Sequence, residues 1–176
     1  NNAEVLQVDS ATMSITTAAE TFRNVDVVNL IPRQRAGSLV AATGLANATE
    51  GRFAGVNPLT YASTVAPRIH VIGDASATTQ PKAGHIANQE AKVCADAIIR
   101  SLAGGAPDPA PVTNSACYST ITMRQASWLT AVFQYNPATG TMQPVAASSA
   151  ASVGWNQDNF DQMNTWFKAL MADSFG

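Results

Sequence analysis

The chain has 176 residues, 46% of them hydrophobic and 12% charged, with a formal net charge of −2. That length can bury a core as one domain or slightly more, and the absence of any Lys/Arg cluster excludes the electrostatic footprint of a nucleic-acid binder. No apolar run reaches the ~18 residues of a membrane span, and two cysteines with two histidines exclude a disulfide framework and a His-rich metal site.

The opening "NNAEVLQVD" has neither a charged nor an apolar leader region and no initiator Met, so it reads as a processed or truncated chain that enters directly into a strand. "EVLQVD" and "SITT" alternate as strands do. "NVDVVNLIP" is denser, and its apolar run 25–31, stopped by Pro32, predicts a buried strand closing a small β meander over residues 1–32.

Within 33–104, "APRIHVIGD" predicts a strand over residues 69–72, bounded by Pro67 and Gly73. From Gly84 the pattern turns helical. Ile86, Val93, Cys94, Ala97, Ile98 and Leu102 recur at helical spacing, with Asn88, Lys92, Asp96 and Arg100 opposite. Gly104 and Gly105, followed by Pro107, stop that helix.

The Pro-rich "GAPDPAPV" reads as a linker opening a third segment, 105–176. "ACYSTITM", "ASWLTAVFQY" and "TMQPVA" read as strands, with "NPATG" a turn between the last two. The Ala/Ser tract 146–152 reads as a loop. "DNFDQMNTWFKALMADSFG" closes the chain as an amphipathic helix, capped by Asp158 or Asn156, with Phe160, Met163, Trp166, Phe167 and Leu170 on its apolar face.

The chemistry concentrates at Gly73 and Asp74. In parallel-sheet folds, ligands sit beyond the carboxyl ends of the strands, and Gly73 lets a ligand approach the backbone. An ionised Asp74 accepts hydrogen bonds only, which suits sugar or ribityl hydroxyls better than phosphate. The helix start at Gly84 offers unpaired N–H groups and partial positive charge to an electron-rich edge such as N1/C2=O of a reduced flavin. Lys82 would add a full charge there. The alternative is an ordinary capped turn, since strand, Gly-Asp and loop recur widely.

The strings "VDVVNLIPRQRAG", "RIHVIGDAS", "PKAGHIANQEAKVCADAI", "ACYS" and "TWFKALMADSFG" resemble, in order and spacing across essentially the whole chain, the flavoprotein subunit of the flavocytochrome c sulfide dehydrogenase family. The resemblance implies an α+β or α/β fold: the carboxy-terminal part of a glutathione-reductase-like flavoprotein with two dinucleotide-binding domains. Residues 1–32 would be the tail of its second nucleotide-type domain and 33–104 the returning half of its FAD domain. Residues 105–176 would be a small β-plus-helix carboxy-terminal domain. It further implies FAD, oxidation of sulfide to sulfur through a cysteine disulfide, and electron delivery to a c-type cytochrome in the periplasm.

By position, the resemblance puts Gly73 and Asp74 against the ribityl and nearby phosphate part of FAD, and Lys82, Ala83, Gly84 and His85 beside the flavin at the helix start. Cys117 in "ACYS" corresponds to one half of the redox-active disulfide, and Trp166 to an aromatic packed near the ring. Ala83 and His85 depart from the Ser and Tyr expected there, and no G-x-G-x-x-G occurs to cradle the pyrophosphate. Only part of an FAD site is therefore expected.

Each residue has a plainer alternative. Cys117 reads either as a thiolate nucleophile or as a small buried strand residue, and Trp166 as core packing. Lys82 reads as a solvated loop residue and His85 as a helix-end residue or proton relay. Cys94, on the apolar helix face, reads as buried. Two other functions stay open: a quinone- or pyridine-nucleotide-linked disulfide oxidoreductase of the same fold, and a non-catalytic interaction or assembly module. Self-association through uncovered sheet edges is also expected.

Overall fold

The computed structural model describes residues 3–176. They form two compact units, one ending at Gln34 and the other spanning Arg35–Gly176. The segments 33–104 and 105–176 thus share one unit almost entirely.

The first unit is an antiparallel sheet of β1 (Val5–Asp9), β2 (Ser14–Thr17) and β3 (Thr21–Phe22), in that order. Asp9 accepts the amide protons of Ala11 at 2.9 Å and Thr12 at 3.3 Å, which turns the chain between β1 and β2. The alternating strands form where expected, but the dense run 25–31 does not become a buried strand. Val27 is 84% and Ile31 81% exposed. Asn24 turns through the left-handed region at φ 58°, and Val25 returns one N–H to the Met13 carbonyl. Among the described residues the run pairs with no strand; Leu30 and Ile31 instead line an open groove along β1.

The second unit contains a short helix α1 (Ser38–Ala42), a 3₁₀ turn (Gly73–Ala75), and helix α2 (Gly84–Leu102). A sheet of β4 (Val112–Thr122), β5 (Gln125–Asn136) and β6 (Thr141–Pro144) follows, with β7 (Ala150–Ala151) paired to β5. Helix α3 (Gln157–Phe175) ends the chain. Both sheets are antiparallel, so the mixed α+β class is right. A single parallel bridge, Ala54 with Ser76, is the one parallel pairing among the described residues.

The strand expected at 69–72 does not form. His70 makes one antiparallel bridge with Ala62, Val71 donates to the Tyr61 carbonyl, and Ile69 folds back to Ala66. The segment is extended but paired only to an irregular loop, which leaves Ile69 and Ile72 exposed. The Ala/Ser tract is likewise not all loop: Ala150 and Ala151 register against Thr130 and Leu129.

Helix α2 stops as its glycines dictate. Gly104 adopts φ 78°, its N–H reaches the Ser101 carbonyl, and the Gly105 N–H reaches that of Arg100 at 2.8 Å, the paired bonds of a Schellman end. Its buried residues are Ile86, Glu90, Cys94 and Ala97, whereas Ile98 and Leu102, expected on the same face, are exposed. Helix α3 begins at Asn156, whose side chain accepts the Asn159 N–H at 2.8 Å. Of its expected apolar face, Phe167 stays 53% exposed.

The sheet's two faces hold different helices. Ile86 packs with Phe133 and Met142, flanked by Ala83, Ala131 and Tyr135, each such burial stabilising by about 1.5–3 kcal/mol. On the opposite face, the Trp128 indole donates to Asn159 at 3.2 Å and Thr120 meets the Met163 sulfur. A second cluster, Val56, Tyr61 and Cys94 with Val71 and Val93, seats α2 on the loop that precedes the 3₁₀ turn.

Candidate functional site

Gly73 takes φ 67°, and a Cβ there would meet the Ala87 Cβ at 3.2 Å. Both backbone and space therefore require glycine where the turn touches α2. The turn is held from beneath by Glu90, only 1% exposed. Its Oε2 accepts the Gly73 amide proton at 2.5 Å and that of the Ser76 hydroxyl at 3.4 Å, while Oε1 accepts from Thr78 at 3.2 Å. Burial pushes the Glu90 carboxyl above its ordinary value, against the pull of Gly73, Thr78, Ser76 and the Lys82 ammonium.

Lys82 holds the turn from the other side. Its ammonium donates to the carbonyls of Asp74 and Ser76, each at 2.8 Å, and sits 4.1 Å from the Phe53 ring centroid. Burial pushes its pKa down, while Asp74 and Glu90 oppose the change. Lys82 is therefore an exposed loop residue, as one reading had it, but not an unengaged charge. The Asp74 carboxylate is exposed and accepts no hydrogen bond among the described residues.

Ala83 precedes α2 in extended conformation with no side-chain cap, so the first-turn amides of the helix face outward. The crevice among Gly73, Asp74, Lys82, Ala83 and Glu90 is filled by its own side chains and leaves no room for even a water-sized molecule, far from the ~300–1,000 Å³ typical of ligand pockets. A ligand would therefore meet only its outer surface, where the Asp74 carboxylate is exposed.

His85 links this helix start to the sheet. Its Nδ1 accepts the Ala116 amide proton at 2.9 Å, which satisfies an outward N–H of edge strand β4 and leaves the ring proton on Nε2. The His85 ring meets Trp166 edge-on, with centroids 5.8 Å apart and planes at 72°. Trp166 also lies 5.2 Å from Tyr118. The Trp166 indole nitrogen is buried without an acceptor among the described residues, an unmet donor in an otherwise packed trio.

This arrangement pairs with a family match. Residues 109–175 match the family model of flavocytochrome c sulphide dehydrogenase, flavin-binding. The match runs from the linker through β4 and into α3, so it includes Cys117, Tyr118 and Trp166. The resemblance read in the sequence is borne out over that stretch. A flavin-binding role, with FAD as the cofactor, is what the flavocytochrome c sulphide dehydrogenase match supports, and the family's name carries a cytochrome with it.

The structure gathers the expected residues into two groups. Gly73, Asp74, Lys82, Ala83 and Gly84 surround the crevice and helix start, and His85 joins them to Trp166. Cys117 stands apart: period-two alternation puts it on the face of Thr113 and Ser115, opposite Tyr118, paired with exposed Leu129. Its thiol is exposed rather than buried, and both it and Cys94 are free. Cys94 is buried, which raises its thiol pKa.

Three neighbours of the expected site residues went unread in the sequence: Glu90, Phe53 and Tyr118. Glu90 had a usable signal, a carboxylate four residues from both Ile86 and Cys94 on the inward face of α2. Phe53 and Tyr118 had none, because each meets its partner across more than twenty residues.

Proposed function

We propose that this chain supplies part of an FAD site in a sulfide-oxidising flavoprotein of the glutathione-reductase-like, two-dinucleotide-domain type, with a c-type cytochrome as electron acceptor and the periplasm as its location. One contact carries the reading. The His85–Ala116 hydrogen bond joins the segment matching a flavin-binding family to the helix start beside Gly73 and Asp74.

The residues fit the cofactor in part. Asp74 offers free acceptor oxygens to ribityl hydroxyls, and the uncapped α2 amides favour an electron-rich ring edge. The small crevice and the absent G-x-G-x-x-G leave the pyrophosphate to other groups. A bound flavin supplies a two-electron acceptor able to release electrons singly to a haem. Cys117, exposed on β4, presents a thiol to a small sulfur substrate, and a second thiol would complete the disulfide the chemistry requires.

Titrating the purified protein with FAD, followed by flavin fluorescence, tests the binding step. We expect saturable binding that Asp74→Ala weakens; wild-type protein that binds no FAD would overturn the reading. Sulfide-dependent reduction of a c-type cytochrome tests the rest. Unchanged activity in Cys117→Ser would remove that residue from the chemistry.

A further inference from the structure

We propose that Glu90 is a positioning residue for this site: its buried carboxylate, carried on α2, fixes the turn at Gly73 and Asp74 so that Asp74 faces the hydroxyls of the ligand's polyol chain. The inference rests on the flavin reading above and adds to it a residue that never touches the ligand.

Every bond that Glu90 accepts comes from one short stretch, at Gly73, Ser76 and Thr78. Lys82 engages the backbone of the same stretch at Asp74 and Ser76, and Ser76 donates to the Gly73 carbonyl at 2.8 Å. The Gly73 amide and the carbonyls of Gly73, Asp74 and Ser76 are thus bonded within the site, while the Asp74 side chain is left with all its acceptor capacity.

The choice of a charge beneath the turn is also informative. A buried ionised carboxylate carries a desolvation cost of several kcal/mol even when paired, and a glutamine of the same shape could accept the Gly73 amide more cheaply. The charged group that acts on Glu90 is Lys82 from the loop, with Asp74 at the outer rim of the same crevice. Tyr61, from the preceding segment, and Cys94, on its own helix, add a phenol and a thiol. Lys82 is the one cation among them, and it is already shared with two carbonyls.

Burial raises the Glu90 pKa above the ordinary 4.5, so the fold favours the neutral carboxyl. Its stability contribution is complete below 4.5 and is lost as pH rises through the folded value. Ionising Glu90 within the fold therefore costs stability and, on this proposal, sharpens binding. Glu90→Gln separates the two effects, because a merely structural residue would lose both together.

The test combines FAD titration, thermal melting and the NMR shift of the Gly73 amide proton, in wild type and Glu90→Gln. We expect Glu90→Gln to melt at or above the wild-type temperature at neutral pH, with the gap closing below 4.5. We expect it to bind FAD several-fold more weakly, because a neutral amide oxygen holds the Gly73 N–H less tightly than a carboxylate does, and to shift the Gly73 amide upfield. FAD affinity equal to wild type, or weakened only in step with a fall in melting temperature, overturns the proposal. If wild-type protein binds no FAD, the flavin reading falls by itself, and the amide decides about Glu90. A signal that moves upfield in the variant keeps the carboxylate's hold on the turn, and one that does not move removes it.

Discussion

The Nδ1 of His85 accepts the amide proton of Ala116 at 2.9 Å, one residue before Cys117. A helix residue thereby closes an edge-strand donor that would otherwise need water or another strand. The bond exists only while Nδ1 carries no proton, so it makes the link between α2 and β4 dependent on pH. Burial, with the nearby Lys92 charge, already holds the His85 pKa below its ordinary 6.5.

A depressed histidine pKa means the fold favours the neutral ring. The stability it contributes is complete above 6.5 and is lost as pH falls from there through the folded value. Denaturant unfolding at a series of pH values should show wild-type stability dropping across that window. In His85→Asn, whose side-chain oxygen can stand in for Nδ1, the drop should be smaller. Parallel curves for the two proteins would mean that His85 does not titrate with folding.

The two thiols should separate cleanly under alkylation. Cys117 is exposed and Cys94 is 8% exposed in the Val56/Tyr61 cluster, with its thiol pKa raised by burial. Since the thiolate is the reacting form, brief iodoacetamide treatment of native protein should label Cys117 alone by mass spectrometry. Cys94 should react only after denaturant is added.

Replacing Gly73 by Ala should destabilise the protein by about 1–2 kcal/mol for the left-handed backbone alone, since φ there is 67°. The added Cβ would also press on Ala87 at 3.2 Å. Urea unfolding measures the loss, and an unchanged midpoint would mean that the turn relaxes to another conformation.

Asn156→Ala removes the acceptor for the Asn159 N–H and should cost about 1 kcal/mol. Asn156→Asp keeps that acceptor and should restore most of it. Thermal unfolding of the pair distinguishes loss of the cap from a general disturbance of the chain before α3.

Much of the second unit was legible because its signals are local. Gly104 and Gly105 ended α2, Asn156 opened α3, and "NPATG" joined β5 to β6, each through chemistry contained within a few residues. The failures involve pairing at a distance. Ile-His-Val-Ile has the composition of a strand at 69–72, but only a ladder makes a strand, and its partner here is the irregular loop at Tyr61 and Ala62. The run 25–31 failed for the same reason. At the site, Gly73, Asp74 and the helix start could be read from residue type and order. Glu90 was hidden among polar residues because apolar periodicity counts what is hydrophobic and passes over a carboxylate on the inward face.

Helix α2 also has a mechanical consequence. Its 19 residues make a bar about 28 Å long, bonded to β4 through His85, to the turn through Glu90, and to α3 where Lys92 meets Asp173 at 2.7 Å. A pull on one attachment is delivered to the others, so the Asp74 turn and the strand bearing Cys117 answer to the same beam. Reciprocity then requires that a group attached to the Cys117 thiol, if it displaces β4, changes the affinity of the turn for any ligand it takes, by the same factor that such a ligand imposes in return.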